Sequence, residues 1–163
     1  LMKVTTKNII PIFLFSIIFT GCGSTQKDIA SFHSFETECL GIELDGSQTL
    51  RVWGKGKNRS DAIEQAKKNA VRDVLFKGVT AGSKDCNMRP LITEVNAKEK
   101  YAEYFNKFFK DGGKYNNYIN MKDEKDDSRL KYENTNEVSY AITVRVLRSK
   151  LQKKLREDNI LKQ

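Results

Sequence analysis

The chain has 163 residues, 39% hydrophobic and 31% charged, a balance that excludes a polytopic membrane protein and favours one ordinary folded domain over wholesale disorder. Lysine and arginine number 29 against 21 aspartates and glutamates, and the net charge of +8 favours an anionic partner. One histidine, His33, and three cysteines leave little material for the common catalytic triads or for a disulfide-dense miniprotein.

The first 22 residues read LMKVTTKNIIPIFLFSIIFTGC, with Lys3 and Lys7 ahead of an uncharged run from Ile9 to Thr20. This is the layout of a secretory signal. As a helix the run rises only about 18 Å, short of the ~30 Å hydrocarbon core, so cleavage is expected rather than a lasting span. The segment Phe19-Thr20-Gly21-Cys22 resembles the lipobox of bacterial lipoproteins, with Phe19 where that pattern prefers leucine. The resemblance implies cutting between Gly21 and Cys22 and acylation of Cys22 on sulfur and amine; several acyl chains give stable attachment where one chain is marginal. Loss of Lys3 and Lys7 with the leader leaves 27 cations against 21 acids, a net +6. An exported chain meets lipid head groups, wall polymers and acidic proteins, so nucleic acid is not an expected partner.

Residues 23–31, GSTQKDIAS, are polar, small and aperiodic, as in a flexible tether. From Glu38 to Val52 the pattern predicts a hairpin turning at Asp45-Gly46, with Leu40, Ile42, Leu44, Leu50 and Val52 facing inward. Cys39, Arg51 and Trp53 then face the other way, and Trp53 is either a cover over a second layer or part of an exposed partner-binding patch. After Gly54-Lys55-Gly56 comes a helix that Asn58 or Ser60 can cap and Gly78 can end. Ala62, Ala66 and Ala70 recur every four residues, a small-residue ridge that lets a helix approach a sheet closely.

A second helix is predicted over Asn96–Lys110, with capping-box spacing between Asn96 and Glu99 and a stripe of Tyr101, Tyr104, Phe105, Phe108 and Phe109. The stripe reads as core, with a groove for protein or lipid as the alternative. A short strand over Tyr118–Met121 precedes a charged loop, Lys122 to Ser128, whose acids do not fit a calcium loop. Val138 to Val146 alternates as a strand, and a closing helix capped by Ser149 carries Leu151 and Leu155.

Cys39 and Cys86 are the thiols left once Cys22 takes lipid, and an oxidising compartment permits them to pair. In the loop-entropy model that link contributes roughly 4 kcal/mol. His33, between Phe32 and Phe35 beside the tether, is poorly placed for a rigid catalytic constellation. The sequence singles out no carboxylate pair, no metal-ligand spacing and no phosphate loop: Gly54-Lys55-Gly56 lacks the Gly-Lys-Ser/Thr ending. The expected task of Gly54 and Gly56 is steric, letting the strand turn tightly into the helix. No cofactor or catalytic residue is expected.

The stretch Val52 to Val74, VWGKGKNRSDAIEQAKKNAVRDV, resembles the signature of small bacterial envelope lipoproteins related to the N-terminal domain of flagellar assembly protein T. It matches in the strand, in Gly54 and Gly56, and in alanines four apart. The resemblance implies an α+β domain: a small antiparallel or mixed sheet with about three helices packed mainly on one face. It also relates the chain to the lipoprotein activators of penicillin-binding proteins and the curli-secretion lipoproteins, which act through protein contacts.

The expected organisation is therefore a signal peptide over 1–21, a lipidated tether over 22–31 and a single domain over 32–163. The expected function is a non-enzymatic, lipid-anchored periplasmic module, at the outer membrane, docking onto secretion, motility or wall-synthesis machinery. Candidate contact surfaces are Trp53 and the basic segment Arg145, Arg148, Lys150, Lys153, Lys154 and Arg156. The alternative is direct binding of anionic wall polymer or lipid by those same cations.

Overall fold

A computed structural model describes residues 35–86, 88–121, 130–133 and 137–161. The signal, Gly21, Cys22, the tether, His33 and the acidic loop lie outside the described residues. Six strands form one mixed sheet, β1 (Glu38–Ile42), β2 (Gln48–Gly56), β3 (Ala81–Gly82), β4 (Ile119–Asn120), β5 (Leu130–Glu133) and β6 (Val138–Val146), in the order β3-β1-β2-β6-β4, with β5 also on β6. All pairings are antiparallel except β1 with β3. Three helices of seven residues or more complete an α+β fold: α1 (Arg59–Arg72), α3 (Ala102–Phe108) and α4 (Arg148–Glu157), with a one-turn α2 (Ala97–Lys100) ahead of α3.

Period-two alternation decides which face is covered. Leu50 and Val52 on β2 and Ile142, Val144 and Val146 on β6 share one face and are at most 1% exposed. Against them lie Ala66, Ala70 and Val71 of α1, Phe105 and Phe108 of α3, and Leu151 and Leu155 of α4, all in one core. Arg51 and Trp53 fall on the opposite face by the same alternation, as the sequence suggests.

The hairpin differs from the expectation in its first strand. The register of β1 on β2 shifts between Cys39 and Gly41, a bulge that puts Cys39 opposite Leu50 and Ile42 opposite Gln48. Cys39 therefore faces the core at 1% exposure, while Leu40 turns outward at 42%. Leu44 belongs to the turn and is fully exposed. There the Gly46 N–H donates to the Glu43 carbonyl (2.8 Å) and Gly46 has φ of 77°, the left-handed geometry that glycine takes at no steric cost. Inward-facing Cys39 meets Cys86 across a Cα separation of 5.8 Å, and the two form a disulfide linking β1 to the short 3₁₀ turn Lys84–Cys86.

Asn58 caps α1, its side chain accepting from the Asp61 N–H at 3.0 Å. The helix then widens into a π-helical turn over Asp73–Lys77, closed by the Gly78 N–H on the Asp73 carbonyl at 2.7 Å. Buried Asp73 accepts from the Thr37 hydroxyl at 2.5 Å, tying the entry of the domain to the end of α1.

The predicted helix over 96–110 is broken. Tyr101, at φ −111° and ψ 29°, separates α2 from α3, and Asn96 makes no side-chain cap. The expected strand at Tyr118 begins one residue later, after the 3₁₀ turn Lys114–Tyr118. Ser149 lies inside α4 rather than capping it; its hydroxyl donates to the Asp45 carbonyl at 3.0 Å and pins the helix start to the hairpin turn. Among the described residues no helix is long and apolar enough to cross a membrane.

Candidate functional site

Gly54 and Gly56 sit within β2, not in a turn, and what they provide is clearance. A Cβ on Gly54 would lie 2.0 Å from the Ala62 carbonyl oxygen and 2.3 Å from the Ala66 nitrogen; one on Gly56 would lie 2.5 Å from the Ala62 nitrogen. Glycine on the strand and alanine on the helix thus bring two backbones together. The Asn69 side chain uses that proximity, donating from Nδ2 to the Trp53 carbonyl at 2.8 Å. The motif at 52–74 is accounted for by packing.

Trp53 is half-buried on the opposite sheet face, edge-to-face with Phe35 at 5.1 Å. The basic segment is not one patch. Arg145 pairs with Glu43 at 3.2 Å, Arg148 donates to the Arg89 carbonyl at 2.8 Å, and Lys154 pairs with Asp158 at 2.7 Å. Burial pulls Arg148 below the usual arginine value, in keeping with a structural clasp. Lys150, Lys153 and Arg156 remain on the exposed side of α4, on the helix-bearing side of the sheet and so away from Trp53.

A different set of cations surrounds a groove of about 520 Å³. Tyr104, Lys107 and Phe108 come from consecutive turns of α3, and Lys110, Gly112, Gly113 and Lys114 from the turn that follows. Gly112 has φ of 63°, and the Gly113 N–H donates to the Lys110 carbonyl at 2.7 Å, which reverses the chain so that Lys110 and Lys114 stand beside α3. Phe108 stacks at 5.9 Å on both Tyr104 and Tyr118, giving the groove an aromatic floor continuous with the core.

Two anchors hold that turn on α1. Lys68 pairs with Asp111 at 2.5 Å, and fully buried Tyr115 donates its hydroxyl to Glu64, which also accepts from the Gly112 N–H at 3.4 Å. Burial would raise Glu64, but the Tyr115 hydroxyl, the Gly112 N–H and Lys67 outweigh it and hold the carboxyl below its ordinary value. Burial, then the bond to Glu64, pushes Tyr115 well above the usual phenol value. On the far side Tyr104 donates to Asp158 at 2.8 Å, so the groove is also fastened to α4. Burial and that hydrogen bond raise Tyr104 in the same way.

The groove is lined by lysine side chains, aromatic rings and glycines, a chemistry of binding. Lysine stems can lie along apolar surface while their charges stay in water. Sequence periodicity had identified the aromatic stripe but not its cationic rim, because the rim depends on the chain reversal at Gly112-Gly113. Among the described residues no group of three or more histidine, cysteine, aspartate or glutamate side chains is placed to hold a metal ion. Comparison with protein-family models, with curated proteins and with solved structures gives no match.

Proposed function

We propose that this chain is a non-enzymatic, lipid-anchored module of the bacterial cell envelope, held by acyl chains on Cys22 at the outer membrane and docking onto a larger periplasmic assembly. The observation that carries this reading is Phe19-Thr20-Gly21-Cys22 at the end of the uncharged run Ile9 to Thr20, behind Lys3 and Lys7. Tethering confines the domain near one surface and raises its effective concentration for any partner there. The sheet face opposite the helices supports a docking role: it presents Trp53, an anchor type favoured at interfaces, beside Arg51 and Lys55. Secretion, motility and wall-synthesis machinery are the candidate assemblies.

The test is crosslinking in living cells with the wild-type chain and Cys22→Ala, together with the mass of the natural N-terminus. Cleavage at Cys22, acylation there, and a partner captured by the wild type but lost in the variant are expected. A free thiol at position 22, or an uncut leader, overturns the reading. Direct binding to an anionic wall polymer or lipid is the second reading. The remaining C-terminal cations, Lys150, Lys153 and Arg156, support it less than the lysine groove does.

A further inference from the structure

We propose that the groove between α3 and the turn Lys110–Lys114 docks an anionic phospholipid of the bilayer that carries the chain; this rests on the anchor reading above. Three observations point to a bilayer lipid rather than to a small anion or a purely polar polymer.

The first is charge. Among the described residues neither Lys110 nor Lys114 has a hydrogen-bond or ion-pair partner, and Lys107 meets only Glu103, at 2.6 Å in a pair more than 70% exposed on both sides. Such an exposed pair exchanges readily for a better anion. The neighbouring acid, Asp158, accepts from Tyr104 and Lys154 and also acts on Lys114 through space, so it offsets only part of the charge of the rim. Three lysines thus line one opening, two of them without a direct partner.

The second is the floor. Tyr104 and Phe108 give the groove an apolar base that a phosphate alone would not use, whereas a phospholipid places a phosphate at the rim and hydrocarbon beneath it. The volume of about 520 Å³ falls in the range of roughly 300–1,000 Å³ typical of sites for small organic ligands.

The third is position. Phe35, the first described residue, packs under the Lys55 ammonium at 4.7 Å. Lys55, Lys68 and Asp111 line one shallow depression, and Asp111 leads directly into Gly112 of the groove. The chain from Cys22 to Phe35 spans at most about 45 Å when extended, so an anchored domain stays within that distance of the head groups.

The experiment uses the mature full-length protein with two vesicle preparations, phosphatidylcholine alone and an equimolar mixture of phosphatidylcholine and phosphatidylglycerol. An amine-acylating reagent followed by peptide mass spectrometry reads each lysine. The expected result is a several-fold loss of reactivity at Lys107, Lys110 and Lys114 on the anionic vesicles only, with Lys150 and Lys153 unchanged. The triple variant Lys107→Gln, Lys110→Gln, Lys114→Gln should weaken the preference for anionic vesicles about a hundredfold, from the usual contribution of a lysine at such a surface. Equal reactivity of the three lysines on both vesicles overturns the proposal, as does uniform protection of every lysine. Crosslinking of these lysines to a protein in cells, with no vesicle effect, reassigns the groove to a protein partner and overturns the lipid assignment. The mass at Cys22 is read on the same sample: a free thiol there defeats the anchor reading, while the lysine pattern still decides the groove.

Discussion

At the seam between α1 and β2 the touching groups are backbone, whereas at the groove beside α3 they are side chain, and the two regions constrain sequence differently. The seam admits almost no alternatives, because any Cβ at Gly54 enters the space of the Ala62 carbonyl. Glycine and alanine there answer to clearance, which leaves a spaced motif along one stretch of chain. The groove constrains charge and shape loosely: Lys107, Lys110 and Lys114 need only long cationic stems, so they leave no spacing that a motif could record. A conspicuous pattern thus marks structure here, and an inconspicuous one marks the candidate site.

The largest expected effect breaks the seam. Gly54→Val should cost more than about 3 kcal/mol, since overpacking against backbone leaves nothing soft to move. Urea unfolding reads it, with Gly41→Ala as control, because nothing lies within 4 Å of a Cβ there. A Gly54→Val midpoint near that of the wild type would sink the clearance argument. From the helix side, Ala66→Val should cost about 2 kcal/mol, as its added methyl groups meet the same strand. Combined with Gly54→Val it should cost less than the sum, because one displacement of α1 relieves both.

How much of this was legible follows the same division. The strand Val138–Val146 and the turn at Asp45-Gly46 are set by alternation and local backbone preference, both visible along the chain. The inward turn of Cys39 was not, because a bulge at Leu40 adds one residue and alternation counted through it assigns the wrong face. The break at Tyr101 hides in the same way: the aromatic spacing runs through Tyr101 unchanged, and Phe105 and Phe108 still reach the core. Strand β5 was not anticipated at all. The groove needed two tertiary facts, the reversal at Gly112-Gly113 and the hold of Glu64 on Tyr115, neither of which has a local signature.

That hold supplies an intermediate effect that joins the two regions. Tyr115→Phe should cost about 1 kcal/mol, the net value of one hydrogen bond, and should loosen Lys110 and Lys114 relative to α3. Because Glu64 is held below its ordinary value of 4.5, its contribution is complete above that pH and is lost as pH falls through the lowered value. Thermal melts of the wild type should therefore fall below about pH 4.5, and Tyr115→Phe should show a shallower fall. Identical pH profiles for the two proteins would remove Glu64 as the anchor of the turn.

The smallest expected effect on stability is the most telling for the comparison. Lys107→Gln, Lys110→Gln and Lys114→Gln together should change stability by less than about 0.5 kcal/mol, as surface substitutions without buried partners do. Removing three like charges from a chain of net +8 even relieves some self-repulsion, so a slight gain is consistent with the argument. Measured by the same urea titration, near-wild-type stability with a weakened preference for anionic vesicles would separate binding from folding in one variant. A loss comparable to that of Ala66→Val would instead show the lysine stems to be roofing over Phe108, and the groove would then belong to the core rather than to any ligand.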